Sequence, residues 1–469
     1  MGDPAHLIVI GGGIGGYTAA IRAARQGLQV TLVEDCALGG TCLNVGCIPT
    51  KSLLHSSAMI RALPHHAALA GLEGQITVPP SVFTNLREEK STAVDRLVGG
   101  VRTLLRRNKI THISGRAEFI GPKTLKISGQ EEAIDGDVIV IAAGSVVAIP
   151  PIDGIDLEDV ITSDEAIELT ERPDRIAILG GGVIGVEFAQ IFANLGTEVT
   201  IVEMADDILA AEDREAAALL AKLLNAQGVT IRTGARVNAI AKEKGGVTLS
   251  LDGGAEGIEV DKVLVATGRK PNIEGLGLDV AGIETRAGAI AVDDFLRTNV
   301  TNVYAVGDIT GGPLLAHRAG AQAECAIGHY LGHKVPPMSA LAIPRAVYTQ
   351  PELACVGLTE EEARAQGEIK VGRFPFAGNG RALVLGETSG FVKVIAAASD
   401  EQIIGIVMVG PEASNLLGEA TLAVQMELTL TALMYTVHAH PTLTEALLEA
   451  AHDAHDCGAI HQPPKGKAT

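Results

Sequence analysis

Leu7-Ile8-Val9-Ile10-Gly11-Gly12-Gly13-Ile14-Gly15-Gly16 is the stretch from which the fold can be read. Four apolar residues in a row describe a strand buried on both faces, and a helical stretch through Ala24 follows the glycines. A second strand, Gln29–Val33, ends in Glu34. Glycines here permit a tight turn and let a pyrophosphate approach a helix N-terminus. An acid about twenty residues on is placed to accept from a ribose hydroxyl. A glycine run alone marks only a turn. With strand, helix and acid in register it reads as a dinucleotide-binding unit, with Gly11, Gly13, Gly16 and Glu34 as candidate contacts.

The unit then recurs. Strand Arg175–Leu179 leads into Gly180-Gly181-Gly182-Val183-Ile184-Gly185, a helix is expected from Val186 to Leu195, and strand Glu198–Val202 ends in Glu203. Two fingerprints imply two nucleotides, one held and one exchanging, because a redox relay needs a donor and an acceptor. Gly180, Gly182, Gly185 and Glu203 are the second set of candidates. The third glycine and the acid favour NAD, since an NADP site would want Arg or Lys beside the ribose and Met204-Ala205-Asp206-Asp207 offers neither.

Gly39-Gly40-Thr41-Cys42-Leu43-Asn44-Val45-Gly46-Cys47-Ile48-Pro49-Thr50-Lys51 lies just beyond the first unit. A regular helix would hold residues five apart at roughly 8–9 Å between Cα atoms. A disulfide tolerates only about 4.4–6.8 Å. A Cys42–Cys47 bridge therefore predicts a tightened, irregular turn, and Pro49 supports this by withholding a donor from the Val45 carbonyl. The alternatives are two thiols in a glycine-rich loop, or half of a zinc site. No second Cys/His cluster accompanies the pair, and a redox-active disulfide is the stronger reading.

Composition sets outer bounds. The chain has 469 residues, enough for about three domains. Apolar runs stop well short of ~20 residues, so no membrane-spanning helix is expected. Aromatic residues make up 3% with no Trp, and the net charge is −19, which together argue against nucleic acid. The acidity fits solubility or a basic protein partner. Six cysteines do not make a disulfide scaffold in a chain of this size, and Cys36, Cys325, Cys355 and Cys457 read as scattered thiols. The first strand starts too early for a leader peptide, and His6 stands where a myristoylation signal after Met1-Gly2 wants Ser or Thr. A bacterial cytoplasm is the expected compartment.

Elsewhere, Gln75 to Lys109 carries a long helical pattern read as scaffold. Strand Asp137–Ala143 runs into Gly144-Ser145, and Pro150-Pro151 marks a linker. Lys262–Ala266 with Thr267–Asn272 looks like the matching exit from the second unit, and Asn302–Asp308 is a further strand ending in an acid, with a helix expected from about Leu314. Past Pro344 come short strands such as Gly390–Ile395 and Ile403–Val409, then helices Leu416–Leu428 and Thr444–Ala454, whose apolar faces a monomer would leave partly wet and a twofold interface would bury. In His438-Ala439-His440-Pro441-Thr442-Leu443-Thr444-Glu445, a His with a nearby carboxylate suits general acid–base work. The spacing of five does not place both on one helix face, and Pro441 is expected to start a helix between them. Zinc binding by His438 and His440 is the weaker alternative.

Taken together, these motifs resemble the two-dinucleotide flavoprotein disulfide reductases, on the dihydrolipoamide dehydrogenase branch. The resemblance covers Leu7 to about Ala454. It implies an α/β fold with two Rossmann-like domains for FAD and NAD, a central domain and a C-terminal α+β dimerisation domain, divided at 1–147, 148–272, 273–343 and 344–469. It implies that Cys42 is the interchange thiol, that Cys47 faces the flavin, and that Lys51 lies beside the flavin paired with Glu187. Gly40, Thr41, Gly115, Ala117, Ala143, Gly144, Ser145, Asp308 and Ala316 join the FAD contacts; Val237 and Gly268 join those to NAD. His440 becomes the base and Glu445 orients it.

The activity implied is oxidation of protein-bound dihydrolipoamide with reduction of NAD+, in a 2-oxo acid dehydrogenase or glycine-cleavage complex. The expected partners are a second copy of the chain and a lipoyl-bearing acyltransferase core with a basic subunit-binding segment. Ala143 stands where Thr is usual and Ile14 where Pro is common. Glutathione-reductase-like enzymes prefer NADP and place an aromatic gate where Val183 stands; mercuric-reductase-like enzymes add a paired-cysteine tail. A scaffold without turnover would have lost a thiol or His440, and this chain keeps all three.

Overall fold

The computed structural model describes residues 4–72, 74, 77–254, 257–455 and 457–462. Met1-Gly2, the expected helix start at Gln75 and the tail beyond Gln462 lie outside them. The two glycine units each build a five-stranded parallel sheet. In the first, the order is Val303–Ala305, Val138–Ile141, His6–Ile10, Gln29–Glu34, Thr111–Ser114, with Ile10 level with both Val33 and Ile141. Strand His6–Ile10 is central, so both its faces must be covered, which is why the run is uninterruptedly apolar. Leu7 and Val9 pack with Ala19, Ala20 and Ala23 of helix Ile14–Arg25. Ile8 and Ile10 face the other way, onto Phe119, Leu125 and Ile127 of a small antiparallel sheet.

The second sheet repeats the plan in the order Val229–Arg232, Glu198–Val202, Arg175–Leu179, Lys262–Val265, Val160–Thr162. One face meets helix Val183–Asn194, which begins three residues before the expected Val186. The other meets the antiparallel strands Val237–Glu243, Gly246–Leu251 and Ile258–Val260. The exit from one unit and the return from the other, Ser145–Val147 and Arg269–Pro271, pair antiparallel. Residues 273–343 build no large sheet of their own. Strand Val303–Ala305 completes the first sheet, and helix Ala316–Tyr330 packs with helix Ile14–Arg25 in the same core. Past Pro344 the chain forms an antiparallel sheet ordered Arg345–Val347, Glu352–Gly357, Ile403–Gly410, Phe391–Ala397, Ile369–Pro375, covered by helices Ala413–Gln425 and Glu445–Ala454.

Three local expectations change. The cysteine segment is irregular where a break was expected, but the break is confined to Val45 and Gly46 (φ −134° and −124°), between helix Gly40–Asn44 and a 23-residue helix, Cys47–Leu69. Pro49 lies in that helix's first turn, where an N–H has no intrahelical partner to lose. Pro441 starts no helix: the His440–Pro441 bond is cis and the helix begins at Glu445. Helix Glu445–Ala454 was expected to leave an apolar face wet in a monomer, yet Ala446, Leu447, Ala450 and Ala451 are each 0% exposed. They pack in the core with Phe374, Val392 and Val394 of the antiparallel sheet. Leu422 and Met426, on the stretch Leu416–Leu428 that was also expected to be partly wet, are exposed, as are Tyr435 and Val437 beyond it.

Candidate active site

Both glycine loops are built alike. Gly11 and Gly180 have φ of +101° and +109°, and a Cβ on either would lie 2.3 Å or 2.5 Å from the carbonyl oxygen of Ala142 or Ala266. Gly16 and Gly185 bring helix against strand so closely that a Cβ would meet the oxygens of Gly11 and Gly180 at 1.8 Å and 2.0 Å. The middle glycines, Gly13 and Gly182, are N-caps without a side-chain acceptor, and no acid occupies either first turn. The first N–H groups of both helices are thus left for an anion. This is a fit to dinucleotide pyrophosphates drawn from the chain's own backbone.

The acids close the loops. Glu34 accepts from Gly12 N at 2.5 Å and Cys36 N at 2.8 Å; Glu203 accepts from Gly181 N at 2.6 Å and Ala205 N at 2.7 Å. Burial pushes the Glu34 carboxyl up, against the two N–H groups that pull it down. A carboxylate offers about four acceptor positions, so each retains capacity for a ribose hydroxyl.

Around the first loop, Gly115 N donates to the Glu34 carbonyl at 2.9 Å, and Ala117 begins a buried strand. The Ala143 carbonyl accepts from Asn272, Gly144 has φ +68°, and Ser145 Oγ donates to Asp308 Oδ2 at 2.6 Å. Ala316 is the first residue of its helix. Gly40, at φ +57°, approaches Gly13 so closely that a Cβ would lie 2.7 Å from its Cα. Around the second loop, Gly268 has φ +113°. The Val237 side chain is sealed in the core against Leu179 and Val202, leaving only its backbone for a ligand.

Cys42 and Cys47 lie on either side of the helix break, as partly buried thiols. They share a hydrogen bond, which together with burial and the neighbouring sulfur pushes Cys42 well up. The same bond, with the Lys51 ammonium one helical turn on, lowers Cys47 to about 7 against its burial. Lys51 Nζ lies 2.9 Å and 2.7 Å from the two Glu187 oxygens, tying the redox helix to helix Val183–Asn194 of the second unit. The Glu187 side chain is 3% exposed, so this pair is a built feature of the interior.

The two histidines differ sharply. His438 Nε2 meets Glu419 at 2.8 Å and Nδ1 meets the Thr436 carbonyl at 2.9 Å, so both ring nitrogens are committed. His440 uses Nδ1 on Glu445 Oε1 at 2.9 Å, and its side chain is 76% exposed. Glu445 Oε2 accepts from Thr442 N at 2.8 Å. Burial opposes its charge, but Thr442 N–H and the imidazole hold it below the ordinary carboxylate range. The structure thus joins His440 to Glu445 and leaves Nε2 facing solvent. Among the described residues, the side-chain partner of His440 within one chain is Glu445, not Cys42 or Cys47.

Residues 5–323 match the pyridine nucleotide-disulphide oxidoreductase model, and 343–451 the dimerisation domain of the same family. The chain belongs to the pyridine nucleotide-disulphide oxidoreductases. FAD and NAD are the cofactors that go with this membership, and the matched dimerisation domain makes the assembly a homodimer. The oxidoreductase is 43% identical to a dihydrolipoyl dehydrogenase of Thermus scotoductus, over 97% of this chain and 98% of that one. It is 39% identical to a dihydrolipoyl dehydrogenase of Bacillus subtilis, over 98% and 100%. Among solved structures it resembles the HOCl-induced flavoprotein disulfide reductase RclA of Escherichia coli, at a TM-score of 0.85 and 32% identity, covering 95% of this chain and 99% of that one. No described helix is long and apolar enough to cross a membrane.

Two residues near the centre escaped the sequence reading. Arg269 donates to Ser145 Oγ at 2.9 Å and to Thr41 Oγ1 at 3.3 Å, bridging the linker to the redox segment. Its motif, Thr267–Asn272, had been singled out, but no role was given to the cation. Tyr348, from the dimerisation domain, lies over Lys51, and no motif marks it.

Proposed function

We propose that the chain oxidises protein-bound dihydrolipoamide to lipoamide and reduces NAD+, as the dehydrogenase subunit of a 2-oxo acid or glycine-cleavage complex. The observation that carries this is the facing Cys42 and Cys47 thiols, with Cys47 lowered beside Lys51. Full-length similarity to dihydrolipoyl dehydrogenases supports the substrate class. We divide the chain at residues 147, 272 and 343, which is supported by the strand exchange between the two linkers.

In the oxidised protein, a substrate thiol gives its proton to His440 Nε2, and the thiolate attacks Cys42 Sγ. The Cys42–Cys47 bond breaks, and a mixed disulfide with substrate forms. Cys47 leaves as a thiolate, which Lys51 stabilises. The second substrate thiol then displaces Cys42, its proton passing to the departing Cys42 sulfur. Lipoamide closes and both protein sulfurs are left reduced, Cys42 as a thiol and Cys47 as a thiolate with the first proton on His440, so two electrons have moved from substrate to protein. When bound, FAD and NAD supply the hydride chemistry that takes this pair onward. Glu445 holds the His440 ring so that Nε2 is the base. Because His440 lies on the dimerisation domain with an exposed ring, it serves the thiols of the partner subunit in this reading.

The acyltransferase core enters through charge: a chain of net charge −19 suits a basic binding segment, with strong salt dependence. Mixing inactive Cys42→Ser and inactive His440→Gln chains tests the shared site. Hybrid dimers should recover dihydrolipoamide oxidation at one of their two sites. No recovery after demonstrated chain exchange, or faster turnover of glutathione disulfide with NADPH, would overturn the reading.

A further inference from the structure

The Lys51–Glu187 pair is held from a third direction. Strand Arg345–Val347 of the dimerisation domain ends beside it, and the next residue, Tyr348, touches both members. Its backbone N–H donates to Glu187 Oε1 at 3.0 Å, and its ring lies under Lys51 Nζ at 4.7 Å from the centroid. The ammonium is therefore bounded by a carboxylate on one side and an aromatic face on another, while its side chain keeps 31% exposure. An aromatic face attracts a cation through its quadrupole and denies that side to water. A lysine stem without such a boundary is free to swing toward solvent, where its field on a neighbour is screened.

We propose that Tyr348 is a positioning residue for the redox centre, its ring and backbone N–H keeping the Lys51 ammonium aimed along its helix at Cys47. The inference rests on the reading of Cys47 and Lys51 given above. It assigns to the dimerisation domain a part in tuning the thiol that the first unit supplies. The groups that act on Cys47 are Cys42, Lys51 and Glu187; Cys42 acts on Tyr17, and Lys51, Glu352, Glu187 and Cys47 act on the Tyr348 phenol. Of the cations among them, Lys51 is the one that favours the Cys47 thiolate. Loosening it makes the thiolate harder to form.

The test is the pH dependence of Cys47 carbamidomethylation in the dithiol-reduced, full-length holoenzyme, followed residue by residue with tandem mass spectrometry. Tyr348→Leu and Tyr348→Met keep apolar bulk and lose the aromatic face. Both should raise the midpoint by about half a unit, roughly a threefold drop in thiolate below it. Tyr348→Phe keeps the face and should leave the midpoint unchanged. Lys51→Met should raise it further, and adding Tyr348→Leu to that background should change nothing more. An unshifted midpoint in Leu and Met variants with normal flavin content overturns the proposal, as does a Phe variant that shifts like them. If Lys51→Met also fails to shift the midpoint, the reading of the centre itself falls; if it shifts alone, only the role of Tyr348 does. A purely structural tyrosine would lower stability and leave the midpoint in place.

Discussion

Lys393 offers the sharpest test of how the nucleotide unit is fastened to the dimerisation domain. Its side chain is 1% exposed, and Nζ lies 2.9 Å from Asp213, 2.8 Å from Glu215 and 3.0 Å from Glu360. Burial opposes the ammonium, yet the Glu215 and Asp213 hydrogen bonds hold it above the ordinary lysine range. Lys393→Met removes the cation at nearly constant volume. Glu215 and Glu360 keep Arg373, at 2.9 Å and 2.6 Å. Asp213, whose side chain is 3% exposed, loses its ionic partner and keeps two backbone donors, Ala216 N at 3.2 Å and Glu360 N at 3.4 Å.

Removing one member of a buried pair costs about 3–5 kcal/mol. With one carboxylate rather than three orphaned, the lower end applies, about 3 kcal/mol. At about 2–4 °C per kcal/mol for domains of this size, the thermal midpoint should fall by roughly 6–12 °C. Lys393→Met/Asp213→Asn removes the stranded charge and keeps a good helix cap, so it should recover most of the loss. The assay is thermal unfolding of wild type, single and double variants at equal flavin loading. A single variant within about 1 kcal/mol of wild type, or a double variant as unstable as the single, would refute the reasoning.

The remaining expectations concern the chemistry. His440→Gln should lower dihydrolipoamide oxidation by roughly two to four decades, leaving flavin content and NADH turnover with an artificial acceptor intact; Glu445→Gln should lose less, and a His438 variant as inactive as His440→Gln would point to the wrong ring. In the two-electron-reduced protein, the long-wavelength thiolate-to-flavin band should fade as pH falls through about 7, because protonation of Cys47 removes the donor, and Cys47→Ser should abolish it. NAD should be preferred over NADP by at least about a hundredfold in kcat/KM, since a 2′-phosphate beside Glu203 meets repulsion of several kcal/mol at about 4 Å; Glu203→Ala should narrow the gap, and equal turnover of both cofactors by wild type would remove the claim.

Legibility followed the physics of each element. The parallel strands were read nearly to the residue, Arg175–Leu179 and Glu198–Val202 without error, because each begins at a charged residue and runs as a mostly apolar, buried stretch into its glycine loop or acid. Helix Cys47–Leu69 went unread because His55, Met59 and Arg61 to His66 leave much of it exposed and the apolar spacing irregular. The Glu445 helix was assigned to the wrong surface for a related reason. An apolar stripe says that a helix face is covered, not by what, and here the chain's own sheet covers it. Tyr348 could not be found at all, since its role depends on two residues some three hundred and one hundred and sixty positions away.

The repeat itself explains why one nucleotide should be held and the other exchanged. Both loops have the same three glycines and the same acid on the second glycine's N–H, so the difference must lie in what covers them. Over the first loop runs the redox segment, with Gly40 pressed against Gly13 at a backbone angle of +57°. Glu34 beside it is 9% exposed. Over the second, a Cβ placed on Gly182 would meet nothing within 4 Å. The segment that carries Cys42 and Cys47 thus packs against the first loop, whereas no chain lies within 4 Å of a Cβ at the matching glycine of the second. The close packing of Gly40 on Gly13 suits a held nucleotide, and the open space at Gly182 suits an exchanging one.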